Sequence, residues 1–452
     1  MPHPEPTAAT PPKVSLHLPV SNAPPEMVCR TLDALALLDH PDFEVLVVDN
    51  NTSDPALWEP IAEHCARLGP RFRFFHLGRW PGFKAGALNF ALQETAPEAE
   101  IIGVLDSDEL VSPHWLRRMV PAFADPKVGF AQSVRDFRDN GRSLFKRLIL
   151  DEYSWPYGPS TMTLVRVAAL RGSGNWAAWS MTEDVELELR LMRQGWRSVH
   201  APESFGKALV PGDFAAASNQ RFRRAYGAMG ILRAHWRALL FPFGRELSFS
   251  QRRHFLAFWL PWLGDAIGVP LLLAALVCSV GLILEPVRTT FPILPVMLSA
   301  LGIFAVRLAP PLLQRPRVPG LLPGRIGAAI ASLTLSHTTG KAVLCGLATR
   351  RMPFLRPPRR GEAPALVQGI EAAREEFCLL VLTWSAMVGV AAVHGIASWD
   401  VKLWCLTLLA LSLPYLAAVA VAIVAALPAR HSPAATLPEL LPTHGPSLAP
   451  GE

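Results

Sequence analysis

The chain has 452 residues, of which 50% are hydrophobic and only 18% are charged, and its formal net charge is +6. This length allows two or three domains, and the positive charge suits a bilayer with anionic head groups. Nucleic acid is a poorer partner because the basic residues follow the apolar segments, and the absence of HExxH, GxSxG and P-loop motifs disfavours metalloproteases, serine hydrolases and P-loop ATPases.

The N-terminal part alternates short apolar runs with helical stretches. The predicted elements are Val14–Leu18, Pro25–Leu38, Phe43–Val48, Pro55–Leu68, Phe72–Leu77, Phe83–Glu94 and Ile101–Leu105. Such alternation predicts an α/β fold with a mostly parallel sheet covered by helices. Residues 1–13 contain several prolines and no long apolar run, so they are predicted to form a disordered tail without a signal peptide.

Carboxylates stand at the ends of two of these apolar runs. Asp49 ends FEVLVVD, whereas Asp106 and Asp108 belong to VLDSDE. Because an α/β sheet keeps its ligands at the carboxyl ends of its strands, we expect these side chains at one edge. Hard carboxylate oxygens suit Mg²⁺ or Mn²⁺, and such an ion would bind the diphosphate of a nucleotide. Alone, without the neighbouring motifs, Asp106 and Asp108 would be better explained as a solvated turn between a strand and a loop.

Two further segments add charged residues. In GFKAGALN, Gly82 and Gly86 permit close backbone approach, and Lys84 places a cation beside a helix start, where phosphate is favoured. Residues 182–184, TED, begin an amphipathic helix. Taken singly, Lys84 could be an ordinary surface lysine, and Asp184 could be a favourable charge in a first helical turn.

After about residue 250 the sequence has a membrane pattern. Four stretches without Asp, Glu, Lys or Arg are predicted to be transmembrane helices, at 267–284, 289–306, 377–399 and 403–429. Residues 226–240 and 249–262 are predicted to lie along the membrane surface, and 326–349 to form an interfacial or re-entrant helix. A large buried helical core is the alternative. Residues 430–452 are predicted to be a second disordered tail.

Basic residues predict the orientation. Arginines crowd the long loop between the second and third predicted spans, at 315, 317, 325, 350, 351, 356, 359 and 360. The positive-inside rule therefore places this loop in the cytoplasm. With four spans, the N-terminal α/β domain and both termini are predicted to lie in the cytoplasm as well, at the inner membrane of the cell.

Five segments in this order, VDNNTSD, GFKAGALN, LDSDE, TED and QRFRR, resemble the family 2 glycosyltransferases. The similarity is to the membrane-embedded polysaccharide synthase branch, which contains cellulose synthases and bacterial β-glucan synthases. It implies a Rossmann-like nucleotide-sugar-binding domain of GT-A type at 14–248 and an α-helical membrane region at 249–429. The implied reaction is inverting transfer from a nucleotide-sugar, with UDP-glucose favoured, to a growing β-linked polysaccharide.

The same resemblance implies a role for each motif residue. Asp49 would contact the base or ribose, and Lys84 would lie near the nucleotide. Asp106 and Asp108 would hold the diphosphate and a Mg²⁺ or Mn²⁺ ion, and Asp184 would be the general base. The implied acceptor region consists of Thr182, Glu183, Gln220, Arg223 and Arg224.

Two positions depart from the family pattern. Relatives often carry a tryptophan where Arg224 stands and a glutamate where Ala23 stands. An arginine can fork onto a carboxylate or phosphate, so we expect an acceptor more anionic than a plain glucan, or an arginine that pairs with a lipid head group. A non-processive transferase acting on a membrane lipid and an inactive nucleotide-binding partner subunit are alternatives. A transporter is disfavoured because Arg307 and His394 lie near span ends, where such side chains reach the interface.

Overall fold

The structure, a computed structural model, describes residues 11–138, 143–153, 160–241, 246–313, 324–350 and 364–427. The strands are β1 (Lys13–Val20), β2 (Phe43–Asn50), β3 (Phe72–Leu77), β4 (Ala99–Val104), β5 (Leu110–Val111), β6 (Val128–Val134), β7 (Asp136–Phe137), β8 (Ser160–Arg166), β9 (Arg197–Ala201) and β10 (Gly206–Ala208). The helices up to residue 241 are α1 (Pro25–Ala36), α2 (Pro55–Leu68), α3 (Phe83–Glu94), α4 (Trp115–Met119), α5 (Leu144–Tyr153), α6 (Val167–Gly172), α7 (Glu183–Arg193) and α8 (Phe214–Leu240).

Seven of these strands form one sheet in the order β3-β2-β1-β4-β8-β6-β9. The paired strands are parallel except at β8, which is antiparallel to both β4 and β6. The predicted α/β fold with a mostly parallel sheet is confirmed. The antiparallel strand was not predicted, because a run of apolar residues does not encode strand direction. Strands β5, β10 and β7 form a second, three-stranded sheet.

The strand register brings the predicted site residues to one edge. Strand β2 is buried along its whole length, as expected for a central strand covered by helices on both faces. Asp49 of β2 pairs with Val20 of β1 and with His76 of β3. Strand β4 pairs with β1 up to Val104. The Asp-x-Asp segment therefore leaves the sheet at the same carboxyl edge as Asp49.

The remaining helices are mostly apolar. They are α9 (Phe249–Leu284), α10 (Ile293–Leu313), α11 (Gly324–Thr334), α12 (Ser336–Ala348), α13 (Ala365–Ala372), α14 (Arg374–His394) and α15 (Trp399–Ala426). Within the described residues, three helices are long and apolar enough to cross a membrane: Pro261–Leu284, Arg374–His394 and Trp399–Ala426. A fourth, Ile293–Leu308, is apolar but shorter.

These helices differ in detail from the predicted ones. The surface helix predicted at 249–262 and the first predicted span form one continuous helix, α9. The helix predicted at 326–349 is divided into α11 and α12 at Leu335. The span predicted at 289–306 starts only at Ile293, so its passage through the bilayer stays a prediction. Residues 430–452 and most of the arginine-rich loop lie outside the described residues, whereas Arg350 is exposed.

Glycines let helix α12 pack closely on both α8 and α9. A Cβ atom at Gly346 would lie 2.8 Å from the Cβ of Met229 on α8. A Cβ atom at Gly340 would lie 2.4 Å from the backbone oxygen of Asp265 on α9. Because any larger side chain would separate these helices, both glycines join the apolar helices to the domain that carries the site.

Candidate active site

A cavity of about 40 Å³ opens at the carboxyl edge of the large sheet. Its lining residues are Lys84, Val104, Leu105, Asp106, Met162, Thr163, Trp176, Glu183 and Asp184. The fold therefore brings together four predicted site residues that are up to 100 positions apart in the chain, namely Lys84, Asp106, Glu183 and Asp184.

Backbone geometry aims Lys84 into this cavity. Gly82 caps α3 in the left-handed region, at φ 86°, where glycine alone is unstrained. A Cβ atom at Gly86 would lie 1.9 Å from the backbone oxygen of Pro81. The two glycines thus permit the tight turn that begins α3, as predicted from GFKAG, and Lys84 projects from its first turn.

Asp106 is the centre of a charge cluster. Lys84 Nζ donates to Asp106 Oδ1 at 2.8 Å and lies 3.3 Å from Glu183 Oε1. Arg135 donates to the other Asp106 oxygen at 3.2 Å. The Lys84 ammonium holds the pKa of the Asp106 carboxyl well below its usual range. Arg135 was not predicted, although it directly follows the apolar run Val128–Val134 and could have been found by the rule that identified Asp49.

Asp108 occupies a different environment. Its Oδ2 accepts a hydrogen bond from the backbone N–H of Leu209 at 3.1 Å, and Arg138 donates to its backbone oxygen at 3.0 Å. Burial and the nearby Asp106 raise the pKa of Asp108. Among the described residues, no three acidic, histidine or cysteine side chains are grouped to hold a metal. The two carboxylates nevertheless fit an ion such as Mg²⁺, which commonly takes one or two carboxylates and completes its shell with phosphate oxygens and water.

The TED segment starts α7 beside Lys84. Burial raises the pKa values of both Glu183 and Asp184, although Lys84 opposes this. Such a shift moves a carboxylate towards the range in which a general base is effective. Thr182 packs against α8 at Gly227, where a Cβ atom would lie 2.7 Å from Thr182 Oγ1. The first turn of α7 is therefore held by α8.

A buried carboxylate makes a second link between α7 and α8. Glu186 accepts hydrogen bonds from Arg190, with its shortest at 2.8 Å, and lies 3.1 Å from His235 Nε2 of α8. Sequence reasoning missed this link, because it depends on how the two helices pack. The contact between Glu186 and His235 holds α7, the helix that carries Asp184, against α8.

Asp49 is almost fully buried and makes two hydrogen bonds. Thr52 donates to its Oδ1 at 2.6 Å, and His76 Nδ1 lies 2.7 Å from its Oδ2. The His76 ring stacks on Trp58 with centroids 4.3 Å apart. The predicted contact between Asp49 and the nucleotide stays a prediction, and His76 is an unpredicted neighbour at the same edge.

The QRFRR segment lies on α8 and turns its residues in different directions. Arg224 is partly buried and close enough to Asp106 to contribute to its lowered pKa. Gln220 is also partly buried, but Arg223 is exposed. Consecutive residues of an α-helix point in directions about 100° apart around the helix axis. Arg224 therefore faces the site, whereas Arg223 faces away from it. The predicted acceptor region is thus divided on this helix.

Comparisons with known proteins identify the kind of domain that carries this site. The description "Glycosyl transferase family 2" matches residues 15–177, and "Glycosyl transferase family group 2" matches residues 101–306. Glucomannan 4-beta-mannosyltransferase 7 of Arabidopsis thaliana is 25% identical over 50% of this chain and 44% of that protein. Beta-monoglucosyldiacylglycerol synthase of Synechocystis is 28% identical over 38% of each chain. The chain thus spans less than half the length of these curated relatives.

A solved structure supports the fold. Mannosyltransferase PcManGT from Pyrobaculum calidifontis, in complex with GDP-Man and Mn²⁺, superposes with a TM-score of 0.51 at 20% identity, covering 76% of this chain and 91% of that one. The predicted glycosyltransferase fold is confirmed by this likeness. The two family matches together extend from residue 15 to residue 306 and include every predicted site residue. Residues 15–306 of the chain therefore carry domains of the family 2 glycosyltransferases.

Proposed function

We propose that the protein transfers a hexose from a nucleotide-hexose to a hydroxyl acceptor at the cytoplasmic face of a membrane, with inversion and with a divalent metal. The observation that carries this proposal is the convergence of Lys84, Asp106, Glu183 and Asp184 on one cavity at the sheet edge. Donors bind at this edge in α/β sheets.

The donor's diphosphate is assigned to Lys84, Asp106 and Asp108. The two aspartates would hold Mg²⁺ or Mn²⁺, which neutralises charge on the leaving diphosphate when bound. PcManGT, whose complex contains GDP-Man and Mn²⁺, supports this assignment. Lys84 already contacts Asp106 and lies within reach of a phosphate in the same place. Asp49 and His76 flank the position expected for the nucleoside.

Asp184 is assigned as the general base. It lines the cavity together with Lys84 and Asp106, and burial raises its pKa. An inverting displacement needs a base to remove the acceptor hydroxyl proton on the side opposite the leaving group. Glu183 lies closer to Lys84, so it is the less available of the two acids for this proton.

Two donors are candidates. The relatives are named as mannosyl and glucosyl transferases, so GDP-mannose joins UDP-glucose, the donor favoured by the sequence resemblance. The first acceptor class is a growing β-linked polysaccharide, in keeping with the glucomannan enzymes. The second is a membrane lipid, favoured by the similarity to the glucosyldiacylglycerol synthase.

The proposed location is the inner membrane of the cell, with several membrane-spanning helices and a cytoplasmic catalytic domain. Three helices have the length and composition to cross a bilayer, and α12 packs tightly against both α8 and α9. A donor made in the cytoplasm would then reach the sheet edge directly, while the acceptor would arrive from the membrane side.

Product analysis tests this function. The purified full chain is placed in lipid vesicles with Mn²⁺ and radiolabelled UDP-glucose or GDP-mannose, and the products are separated by size. A polymer supports the polysaccharide acceptor, and a single-sugar glycolipid supports the lipid acceptor. An inactive partner subunit would bind nucleotide without transferring sugar. Failure to turn over either donor would contradict the proposal.

A further inference from the structure

A β-bulge in strand β8 lies beside the active-site cavity. The register of β8 against β6 shifts by one residue at Gln132, so Met162 and Thr163 of β8 together stand opposite this one residue. Met162 has φ 55°, a left-handed conformation that is strained for a residue with a Cβ atom. Gly206 of β10 makes room for its side chain, since a Cβ atom there would lie 2.3 Å from Met162 Sδ. Bulges of this kind occur next to active sites, where they re-aim a side chain.

The bulge brings the side chains of Gln132 and Thr163 together. Gln132 Nε2 donates to Thr163 Oγ1 at 2.9 Å, and both residues are buried. Burial of two polar side chains is unfavourable unless they are hydrogen-bonded. A threonine hydroxyl can accept and donate at the same time. Among the residues that the structure describes, this is the only side-chain hydrogen bond of Thr163, so its proton stays available to a second partner.

Thr163 lies on the wall of the cavity that contains the proposed reacting groups. It pairs with Val104, the last residue of β4, across the antiparallel strands, and paired residues present their side chains on one face of a sheet. Both residues line the cavity, together with Asp106 and Asp184. In an inverting displacement the transferred hexose lies between the leaving diphosphate, assigned to Asp106, and the base, assigned to Asp184. The wall that contains Thr163 therefore adjoins the position of the hexose.

We propose that Thr163, oriented by Gln132, donates a hydrogen bond to a hydroxyl group of the transferred hexose. This inference rests on the proposed transferase activity and concerns the sugar of the donor, which the diphosphate contacts do not distinguish. Because Gln132 occupies one lone pair of the Thr163 oxygen, the hydroxyl proton turns to the cavity. A site built to bind a hydroxyl group discriminates against an analogue without it, since the buried donor is then left unpaired. Thr163 is thus a specificity-determining residue for the hexose, and Gln132 is its positioning residue.

The test compares the parent donor, whichever of UDP-glucose and GDP-mannose the full chain turns over in lipid vesicles, with derivatives that each lack one hydroxyl group of the hexose. The wild type should lose kcat/KM about tenfold with the derivative that lacks the contacted hydroxyl, and Thr163→Val should lose about as much with the parent donor. Because both changes remove the same contact, Thr163→Val should use that derivative and the parent donor equally well. Thr163→Ser, which keeps the hydroxyl, should retain the wild-type preference. Gln132→Leu should weaken the preference without abolishing it, since Thr163 then loses only its orientation.

Two controls separate this contact from a general disturbance of the site. The affinity for UDP or GDP, which lack the hexose, should be the same in Thr163→Val and in the wild type when measured by titration calorimetry. Thr95→Val is the matched control, because Thr95 is a buried threonine whose Oγ1 lies 2.9 Å from His17 Nε2, at the opposite end of α3 from Lys84. This variant should lower the melting temperature but leave kcat/KM unchanged.

The inference is overturned if Thr163→Val shows the same penalty for every derivative as the wild type does. A change confined to the acceptor KM would also overturn it, because Thr163 would then contact the acceptor. So would a fall in UDP or GDP affinity as large as the fall in kcat/KM, because Thr163 would then support the shape of the whole site. Each of these results would still uphold the proposed transferase. No transfer by the wild type from either donor would refute the transferase and this inference together.

Discussion

Lys84 donates a 2.8 Å hydrogen bond to Asp106, the first carboxylate of the Asp-x-Asp segment. The ammonium therefore occupies one of the oxygens that a metal ion would need. Glu183, 3.3 Å from the same nitrogen, offers Lys84 a second partner. If Asp106 held a metal ion, the ion would supply the positive charge that Lys84 now gives to this carboxylate, and Lys84 would remain within reach of a phosphate oxygen.

Removal of Asp106 should abolish transfer. Asp106→Ala deletes a proposed metal ligand and leaves Lys84 and Arg135 without their shared carboxylate. We expect a rate loss of about 10²-fold or more, and the same loss for the unaltered protein in excess EDTA. The measurement is the initial rate with Mn²⁺ present, against Asp42→Asn as a surface control. Full activity in EDTA would exclude a metal from this site.

A larger side chain at Gly227 should displace the TED segment. In Gly227→Val, the new Cβ atom would lie 2.7 Å from Thr182 Oγ1, which is closer than real contacts allow. Because small displacements of catalytic groups can cost about 10²-fold in rate, we expect a strong fall in kcat with the fold retained. Gly230→Ala on the same helix is the control, since its new Cβ atom would have a ring carbon of Trp179, 3.7 Å away, as its nearest neighbour. If Gly227→Val has wild-type kcat, α8 does not position this segment.

The hydrogen bonds of Glu186 with Arg190 and His235 should make the stability of the protein depend on pH. Burial alone would raise the pKa of Glu186, but hydrogen bonds from His235 and Arg190 lower it below its usual value. A lowered folded-state pKa adds stability above the unfolded-state pKa, about 4.3, and this stability is lost as the pH falls through the folded-state value. Glu186→Gln should therefore lower the melting temperature at pH 7 and reduce its decline in acid.

The expected cost of Glu186→Gln at pH 7 is about 1–3 kcal/mol of unfolding free energy. Differential scanning calorimetry from pH 7 down to pH 3 measures it. Glu63→Gln is the control, because Glu63 is exposed and its ion pair with Arg67 is 4.0 Å long, so it should change stability little. Coincident curves for the wild type and Glu186→Gln would show that the link contributes nothing, and parallel curves offset from each other would show that its contribution does not depend on pH.

Much of the site can be predicted from the sequence, because its residues directly follow short apolar runs. Asp106 and Lys84 could be placed together from the order of strands and helices alone, because parallel strands deliver their carboxyl ends to one edge. The contact between Glu186 and His235 could not be predicted in this way, since it depends on how α7 and α8 pack. The antiparallel direction of β8 was equally hidden, because its alternation of residues is the same in either direction. Helix α10 begins at Ile293, whereas the span was predicted to begin at residue 289. Apolar composition therefore predicts that a helix exists better than it predicts where the helix begins.

Membrane topology gives a further prediction. Four crossings put the C-terminus on the same side as the catalytic domain, whereas three would put it on the other side. Val287, which is 96% exposed in the connection between α9 and α10, should lie outside. In a variant without the six native cysteines, Val287→Cys in intact spheroplasts should react with an impermeant maleimide, and a cysteine added at the C-terminus should not. Labelling of both would mean that Ile293–Leu308 does not cross.

The central claim is that Asp184 is the general base of sugar transfer. Its most direct test measures donor binding and turnover separately in Asp184→Asn. The asparagine keeps the size of the side chain but cannot take the acceptor proton, so the variant should bind nucleotide-hexose with near wild-type affinity while kcat falls about 10²–10⁴-fold. Affinity is measured by titration calorimetry and kcat by release of nucleoside diphosphate, with whichever of UDP-glucose and GDP-mannose the wild type turns over. A kcat within a few-fold of wild type would contradict the account, because another residue would then be the base.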